Sequence, residues 1–305
     1  MSKETTLKLC LVDMNNGHPN QGIRCFKYLL GRFTTRVTET NPGVTVSLAH
    51  VQPRNLGELP PADSDLVLSS GGPGSPFEGY EEPWCTGFRK FVDGVLEDNL
   101  KASGPGRAAS MLNVCHSFEI VSHHLGVGTL QPRDKRKFGI MPQYPTAEGQ
   151  QGYLLRAFGD RLFAFEHRSW EVVDLNERRL RELRGSLWAR ESRDGLSKGR
   201  GLTSFHYGPG VDGTIFHPEA DRAGAVAWIN KPEMASAFKD AYGEETYEQM
   251  IDTLNDPTRV ARTFSLFVPG YLTERFNELA KVRGWRTLSA PQQDLAEFNT
   301  TPQAA

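Results

Sequence analysis

The chain has 305 residues, enough for one large domain or for a domain with an appendage, and it can bury a substantial apolar core. Hydrophobic residues make up 38% of it and charged residues 24%, proportions that exclude a disordered chain and are typical of a globular enzyme. The net charge of -2 does not favour nucleic acid as a partner.

The N-terminus and the cysteines give no sign of export or of metal binding. The apolar stretch at residues 7–12 is too short for a signal peptide or a membrane span, so we expect a cytoplasmic protein with no membrane contact. The four cysteines form no CxxC pair, and their spacing indicates neither a disulfide framework nor a zinc site. His123 and His124 are adjacent on a predicted helix and diverge by about 100°, so they cannot bind one metal ion together. We predict neither a metal site nor a cofactor.

Strands and helices alternate in the first part of the sequence. Apolar runs predict four strands, and helical apolar stripes follow the first, third and fourth of them. The four runs are residues 7–12, 44–51, 65–69 and 108–114. This alternation predicts an α/β fold with a mostly parallel sheet, whose ligand site lies beyond the carboxyl ends of the strands.

The pattern changes in the second part. From about residue 130 the extended pieces are shorter, and we expect a mixed arrangement there. Two apolar stripes at helical spacing follow, one around residues 247–254 and one around residues 272–282. We therefore divide the chain into a domain at 1–232, a helical appendage at 233–290 and a flexible tail at 291–305.

Cys115 lies between an apolar strand ending at Val114 and a helix beginning near His116, which is the context of a nucleophile elbow. The helix N-terminus places free N–H groups and a positive dipole beside the sulfur, and both favour the reactive thiolate. A single cysteine is most often a small core residue. Cys115 becomes a candidate nucleophile only in combination with two further segments.

The first of these segments is the glycine-rich run at residues 70–76, directly after the third predicted strand. Glycine lets the backbone approach a ligand and turn its N–H groups inward. Gly71, Gly72 and Pro73 are therefore candidates for an oxyanion or substrate site.

The second segment is Phe-His-Pro-Glu at residues 216–219. Residues i and i+2 of an extended segment share a face, so His217 and Glu219 point the same way. A catalytic base and the carboxylate that orients it are thereby delivered together.

In motif, order and approximate separation, these three segments resemble the class I glutamine amidotransferases, over residues 7 to about 230. The resemblance implies a three-layer α/β/α sandwich with a mostly parallel central sheet, here with a C-terminal helical appendage. It implies that Cys115 attacks the glutamine side-chain amide, that His217 moves the proton and that Glu219 orients His217. Backbone amides around Gly72 and His116 would hold the oxyanion, and water would release glutamate from a thioester.

The elbow departs from the family pattern Gly-x-Cys-x-Gly-x-Gln at three positions, which are Asn113, Ser117 and Glu119. In the family the glutamine helps to hold the substrate, so Glu119 implies an altered substrate preference. The related γ-glutamyl hydrolases have a similar Cys-x-Gly-Phe-Glu, with which Phe118-Glu119 is compatible. His116 occupies the position of the base in the intracellular cysteine peptidases of the same superfamily, but we favour His217 because Glu219 orients it.

Residues 165–172 are loosely similar to the substrate-contacting Ser-His-x-Asp-x-Val stretch of these enzymes. The similarity makes His167 and Ser169 candidate substrate contacts. The alternative is a surface strand with a packed tryptophan.

Three functions stay open at this point. The first is a glutaminase or amidotransferase that supplies ammonia to a synthetase or acceptor-enzyme partner, because the sequence has no recognisable ATP-binding synthetase segment. The second is a stand-alone γ-glutamyl hydrolase or acyl transferase that uses the same triad on another substrate. The third is a non-catalytic scaffold that interacts through the helical appendage, a segment that could also be a lid or the surface of a homodimer.

Overall fold

The computed structural model describes residues 5–102, 109–193 and 200–293, and within these ranges the chain forms nine strands and ten helices. The strands are β1 (Thr6–Val12), β2 (Thr45–Val51), β3 (Leu66–Ser69), β4 (Ser110–Val114), β5 (Thr129–Pro145), β6 (Leu162–Val173), β7 (Ser186–Arg190), β8 (Leu202–Gly208) and β9 (Val211–Thr214). The helices are α1 (Gln21–Thr40), α2 (Pro53–Leu56), α3 (Pro83–Lys101), α4 (His116–Leu125), α5 (Ala147–Gln151), α6 (Glu177–Glu182), α7 (Arg222–Ile229), α8 (Pro232–Tyr242), α9 (Glu244–Asn255) and α10 (Val260–Arg283).

The nine strands form one sheet in the order β2-β1-β3-β4-β9-β8-β7-β5-β6. The pairings from β2 to β9 are parallel and those from β9 to β6 are antiparallel. The α/β class is confirmed, but the prediction of a mostly parallel sheet is wrong, because the sheet is mixed. The physical reason is visible between β8 and β9, which are joined through Gly210 at φ 83° by a turn too short for a parallel crossover.

Helices cover both faces of the parallel half of the sheet. On one face α1 and α10 pack against β1, β3 and β4, and Phe26 and Phe276 are buried in this contact. On the other face α3 and α4 pack through Phe88 and Phe118. The apolar stripes read from the sequence are the buried faces of these helices. These contacts concern the parallel half of the sheet. A three-layer arrangement of the whole chain stays a prediction.

The helices after residue 232 make two different sets of contacts. Helices α8 and α9 join a small cluster with Phe138 and Ile140 of β5. Helix α10 belongs to the main core, and its Arg275 lies 3.2 Å from the buried carboxylate of Asp212 in β9. The division into domains at residue 232 stays a prediction.

The tail that we predicted to be flexible falls mostly outside the described residues, since only 291–293 of it are described. In the described ranges, every helix falls short of the length or the hydropathy that spanning a membrane demands.

Candidate active site

The three motif segments meet at one edge of the sheet. The parallel register places Val12 beside Ser69, Ser69 beside Asn113 and Val114 beside Thr214, so the loops that follow β1, β3, β4 and β9 leave the sheet together. This edge is the carboxyl end of the parallel strands, where open α/β sheets bind their ligands.

Cys115 occupies the turn between β4 and α4 with φ 52° and ψ -108°. A non-glycine residue in this region is strained by about 1–3 kcal/mol, and the surrounding structure must impose the conformation. Here Ser117 helps to impose it, because its Oγ accepts a hydrogen bond from the Val114 amide at 2.9 Å. The Asn113 side chain donates to the Asp212 carbonyl at 3.1 Å. The two residues that replace the family glycines thus form hydrogen bonds that hold the elbow.

His217 and Glu219 lie on the same side of the segment after β9. The Nδ1 atom of His217 and Oε1 of Glu219 are 2.8 Å apart, and the His217 amide donates to the Phe165 carbonyl at 2.8 Å. A proton on Nδ1 that is donated to Glu219 leaves Nε2 for the substrate side. Cys115 and His217 flank Gly71 and line the same cavity. The candidate nucleophile therefore lies beside the candidate base, whose ring is bonded to the Glu219 carboxylate.

Burial and the neighbouring charges act in opposite directions on proton transfer from the Cys115 sulfur to the His217 nitrogen. Burial raises the pKa of the Cys115 thiol, and His217 offsets only part of this rise. Burial also opposes charge on the His217 imidazole, but Glu219 and Cys115 outweigh it and hold the pKa of His217 well above its usual value. A base with a raised pKa can take the thiol proton and remain an imidazolium beside the thiolate.

The glycine loop touches both members of this pair. A Cβ placed on Gly71 would lie 2.8 Å from Cε1 of His217 and 3.1 Å from Cβ of Cys115. A Cβ on Gly72 would lie 2.1 Å from the Met14 carbonyl oxygen, so only glycine fits there. Among the described residues we find no acceptor for the backbone N–H of Gly72 or of His116. Of these two residues, Gly72 lines the cavity beside Cys115, whereas His116 is buried.

A cavity of about 280 Å³ opens beside these groups. Its catalytic end is formed by Gly72, Cys115, His217 and Glu219. Its other walls come from the start of α1, from β6 and from α7. These walls are formed by Pro19, Asn20, Gln21, Gly22, Cys25, Phe165, His167, Ala220, Asp221, Gly224, Ala225 and Trp228. The volume is close to the lower end of the range typical of small-molecule sites.

Some predicted site residues do not reach this cavity. Ser169 is exposed on β6 and is not among the lining residues, whereas its neighbour His167 lines the cavity. Pro73 is also exposed, and its carbonyl accepts a hydrogen bond from Arg54 at 2.6 Å. The candidate substrate contacts therefore reduce to His167 and the backbone around Gly72.

His116 and Glu119 are buried behind the elbow instead of lining the cavity. Burial and the charge of Arg54 lower the pKa of His116 to about 3, and neither ring nitrogen has a hydrogen-bond partner among the described residues. Burial raises the pKa of Glu119 to about 8, although Arg168 opposes the rise. His116 is thus a neutral packed side chain, and His217 is the imidazole that shares the cavity with Cys115.

Sequence reasoning missed the contribution of α1. A Cβ on Gly22 would lie 3.0 Å from Oε1 of Glu219, so the first turn of α1 lies directly against the catalytic carboxylate. Asn20 caps this turn by accepting the Gly22 amide at 2.6 Å. An Asn two residues before a glycine that opens an apolar stripe is a helix-start signal, and it follows β1 at the ligand-binding edge. That combination could have identified the loop.

Comparisons with solved structures agree with the fold that the motifs indicated. No protein-family model matches this chain, and no curated protein matches its sequence. Among solved structures, a protein designated SMU.1228c aligns with a TM-score of 0.59 and 14% identity over 88% of this chain and 100% of its own. A glutamine amidotransferase from Thermotoga maritima aligns with a TM-score of 0.52 and 15% identity over 91% of this chain and 97% of its own. At these identities the likeness is one of fold, and it agrees with the resemblance to class I glutamine amidotransferases.

Proposed function

We propose that this chain is a cysteine-nucleophile enzyme that cleaves the C–N bond of a carboxamide through a thioester on Cys115. The observation that carries the proposal is the placement of Cys115 beside His217, whose Nδ1 lies 2.8 Å from Oε1 of Glu219, on the wall of a cavity. A buried cysteine used only for packing needs neither an oriented imidazole nor a cavity.

Each residue has a defined part in the reaction. His217 takes the thiol proton while the sulfur of Cys115 attacks the amide carbon, and the amides of Gly72 and His116 stabilise the oxyanion. His217 then gives the proton to the leaving nitrogen, the C–N bond breaks, and a thioester remains. Water, deprotonated by His217, attacks the thioester and releases a carboxylate and the thiol. Losing one oxyanion donor typically costs about 2.7–4 kcal/mol of transition-state stabilisation.

The first candidate substrate is glutamine, which would yield ammonia for a synthetase or acceptor-enzyme partner. Two features support it, the motif resemblance and the fold shared with the Thermotoga maritima glutamine amidotransferase. The second candidate activity is that of a γ-glutamyl hydrolase or acyl transferase acting without a partner. The position of Glu119 favours this second activity. In the glutamine amidotransferases a glutamine at this place helps to hold the substrate, whereas the carboxyl of Glu119 is buried and is not among the residues that line the cavity.

The test is incubation of the purified protein with glutamine, alongside the Cys115→Ser variant. We expect ammonia release and a γ-glutamyl adduct on Cys115, seen by mass spectrometry of the acid-quenched protein, and we expect both to be absent from the variant. Ammonia release that survives in Cys115→Ser would remove Cys115 from the mechanism. An adduct formed only with another γ-glutamyl amide would favour the second activity.

A further inference from the structure

One end of the cavity is aromatic. Phe165 and His167 of β6 and Trp228 of α7 line it, and we call these three side chains the aromatic wall. The Trp228 ring meets Phe165 at 5.1 Å and His167 at 5.7 Å, in both cases edge to face. The small side chain of Ala225 lines the same part of the cavity, so the rings are accessible from within.

The aromatic wall lies next to the catalytic base. The Phe165 carbonyl accepts the His217 amide at 2.8 Å, and the two rings are 6.0 Å apart. A substrate group that packs against the aromatic wall would therefore lie close to the reacting amide. Because β6 is bonded to His217, the distance from the wall to the base is fixed by the sheet.

The charges of the cavity do not suit the free end of an amino acid. Among the described residues that line it, none is lysine or arginine. Its two carboxylates are already engaged, since Glu219 bonds His217 and Asp221 accepts two hydrogen bonds from Arg24 at 2.8 and 2.7 Å. The ammonium and carboxylate of free glutamine would lose water there without gaining a counter-charge.

His167 adds no charge either. Burial and the adjacent guanidinium of Arg136 lower the pKa of His167 to about 4, so its ring is neutral at pH 7. The contact between Arg136 and the ring occupies that guanidinium as well. The wall thus presents three uncharged rings to the substrate.

We propose that the aromatic wall is a specificity subsite for an aromatic group carried by the amide substrate, on either the acyl side or the amine side of the bond that breaks. The inference rests on the proposed amide cleavage and names its substrate class. A hydrophobic subsite discriminates by roughly 10–200-fold for a small change of fit, so the preference is measurable.

The experiment compares kcat/KM for three amides: glutamine, N-phenylbutanamide with the ring on the leaving amine, and 4-phenylbutanamide with the ring on the acyl chain. Aniline leaves more readily than ammonia, so the readout is the loss that Trp228→Ala causes for each amide, which cancels intrinsic reactivity. We expect a loss of about 10-fold or more for at least one aromatic amide and of less than about threefold for glutamine. The amide with the larger loss identifies the side on which the ring is carried.

Two variants separate recognition from packing. Trp285→Ala removes a half-buried tryptophan that stacks on Phe276 and is not among the cavity-lining residues, so it is the matched control and should leave all three values unchanged. Trp228→Phe keeps a ring and should keep most of the preference.

The outcomes distinguish the aromatic subsite from the proposed amide cleavage. Equal losses for the three amides in Trp228→Ala, or a larger loss for glutamine, would overturn the aromatic subsite and leave Cys115-dependent amide cleavage standing. If wild-type protein gave no Cys115-dependent product from any of the three amides, both proposals would fail.

Discussion

Gly71 is the position at which a single methyl group would separate the nucleophile from its base. In Gly71→Ala the new Cβ would lie 2.8 Å from Cε1 of His217 and 3.1 Å from Cβ of Cys115. Gly71 is not among the glycines with positive φ, so alanine can adopt its backbone conformation and the conflict is steric. The loop cannot retreat easily, because Gly72 is packed against the Met14 carbonyl.

The size of the effect follows from these contacts. Ordinary contact begins near 3.4 Å, so the His217 ring must move by the difference between 3.4 and 2.8, about 0.6 Å. A displacement of about 1 Å at a reacting centre can cost about 100-fold in rate. We therefore expect kcat/KM to fall by about 10-fold or more. Overpacking of this kind also destabilises by about 1–3 kcal/mol, which should lower Tm without unfolding the protein at room temperature.

The assay is single-turnover formation of the Cys115 adduct with the best amide, together with thermal unfolding of the same samples. Gly31→Ala is the matched control, because Gly31 is exposed on α1 and its Cβ would contact nothing within 4 Å. The control should keep wild-type rates and gain about 0.5–1 kcal/mol of stability from the helix. A folded Gly71→Ala protein with wild-type adduct formation would refute the contact between nucleophile and base on which the mechanism depends.

Three further predictions follow from the same site. Glu219→Gln should lower kcat by about 10⁴-fold with little change in Tm, because the glutamine amide can donate as well as accept, so it no longer fixes the His217 tautomer and offers no charge to the imidazolium; steady-state kinetics near the wild-type rate would contradict this. Glu119→Gln should flatten the pH dependence of stability. In the folded protein the pKa of this carboxyl is raised from 4.5 to about 8, so its stabilising contribution is complete below pH 4.5 and is lost as the pH rises to about 8. Chemical denaturation at pH 5 and 9 should show that the free energy of unfolding of the variant rises relative to wild type at the higher pH. Parallel pH dependences of the two proteins would contradict this. Gly22→Ala should lower kcat several-fold by pressing on Oε1 of Glu219, whereas Gly31→Ala on the same helix should not; equal rates in the two variants would show that α1 does not position the carboxylate.

The proposed catalytic residues could be selected from the sequence because each depends on local structure. A strand followed by a helix places Cys115 at a tight turn, and an extended His-Pro-Glu puts His217 and Glu219 on one side. The carboxyl ends of parallel strands must lie at one edge, so the convergence of these segments follows from the α/β alternation. The structure adds the reason why Asn113 and Ser117 can replace glycines: Asn113 bonds the neighbouring strand β9, and Ser117 forms a hydrogen bond within the elbow.

The remaining walls of the cavity could not be predicted in the same way. Trp228 belongs to α7 and Phe165 to β6, and only tertiary packing brings them together. The direction of Glu119 depends on which face of α4 is buried, and the motif comparison alone placed it in the substrate site. The sequence predicted a mixed arrangement after residue 130 but not which strands pair, because hairpin connections there are set by short turns such as the one at Gly210, which carry little apolar pattern.

The ion pair between Arg275 and Asp212 bears on the order in which the parts of the protein fold during synthesis. Asp212 lies in β9, the direct neighbour of the strand that carries the elbow, and its fully buried carboxylate is bonded to Arg275, 63 residues further along the chain. Removing one partner of a buried ion pair costs about 3–5 kcal/mol, although without Arg275 the carboxylate keeps His206 at 2.7 Å and the Tyr153 hydroxyl as partners. We therefore expect the centre of the sheet to reach its full stability only after α10 has been made, and a nascent chain released before residue 275 to lack a settled turn at Cys115.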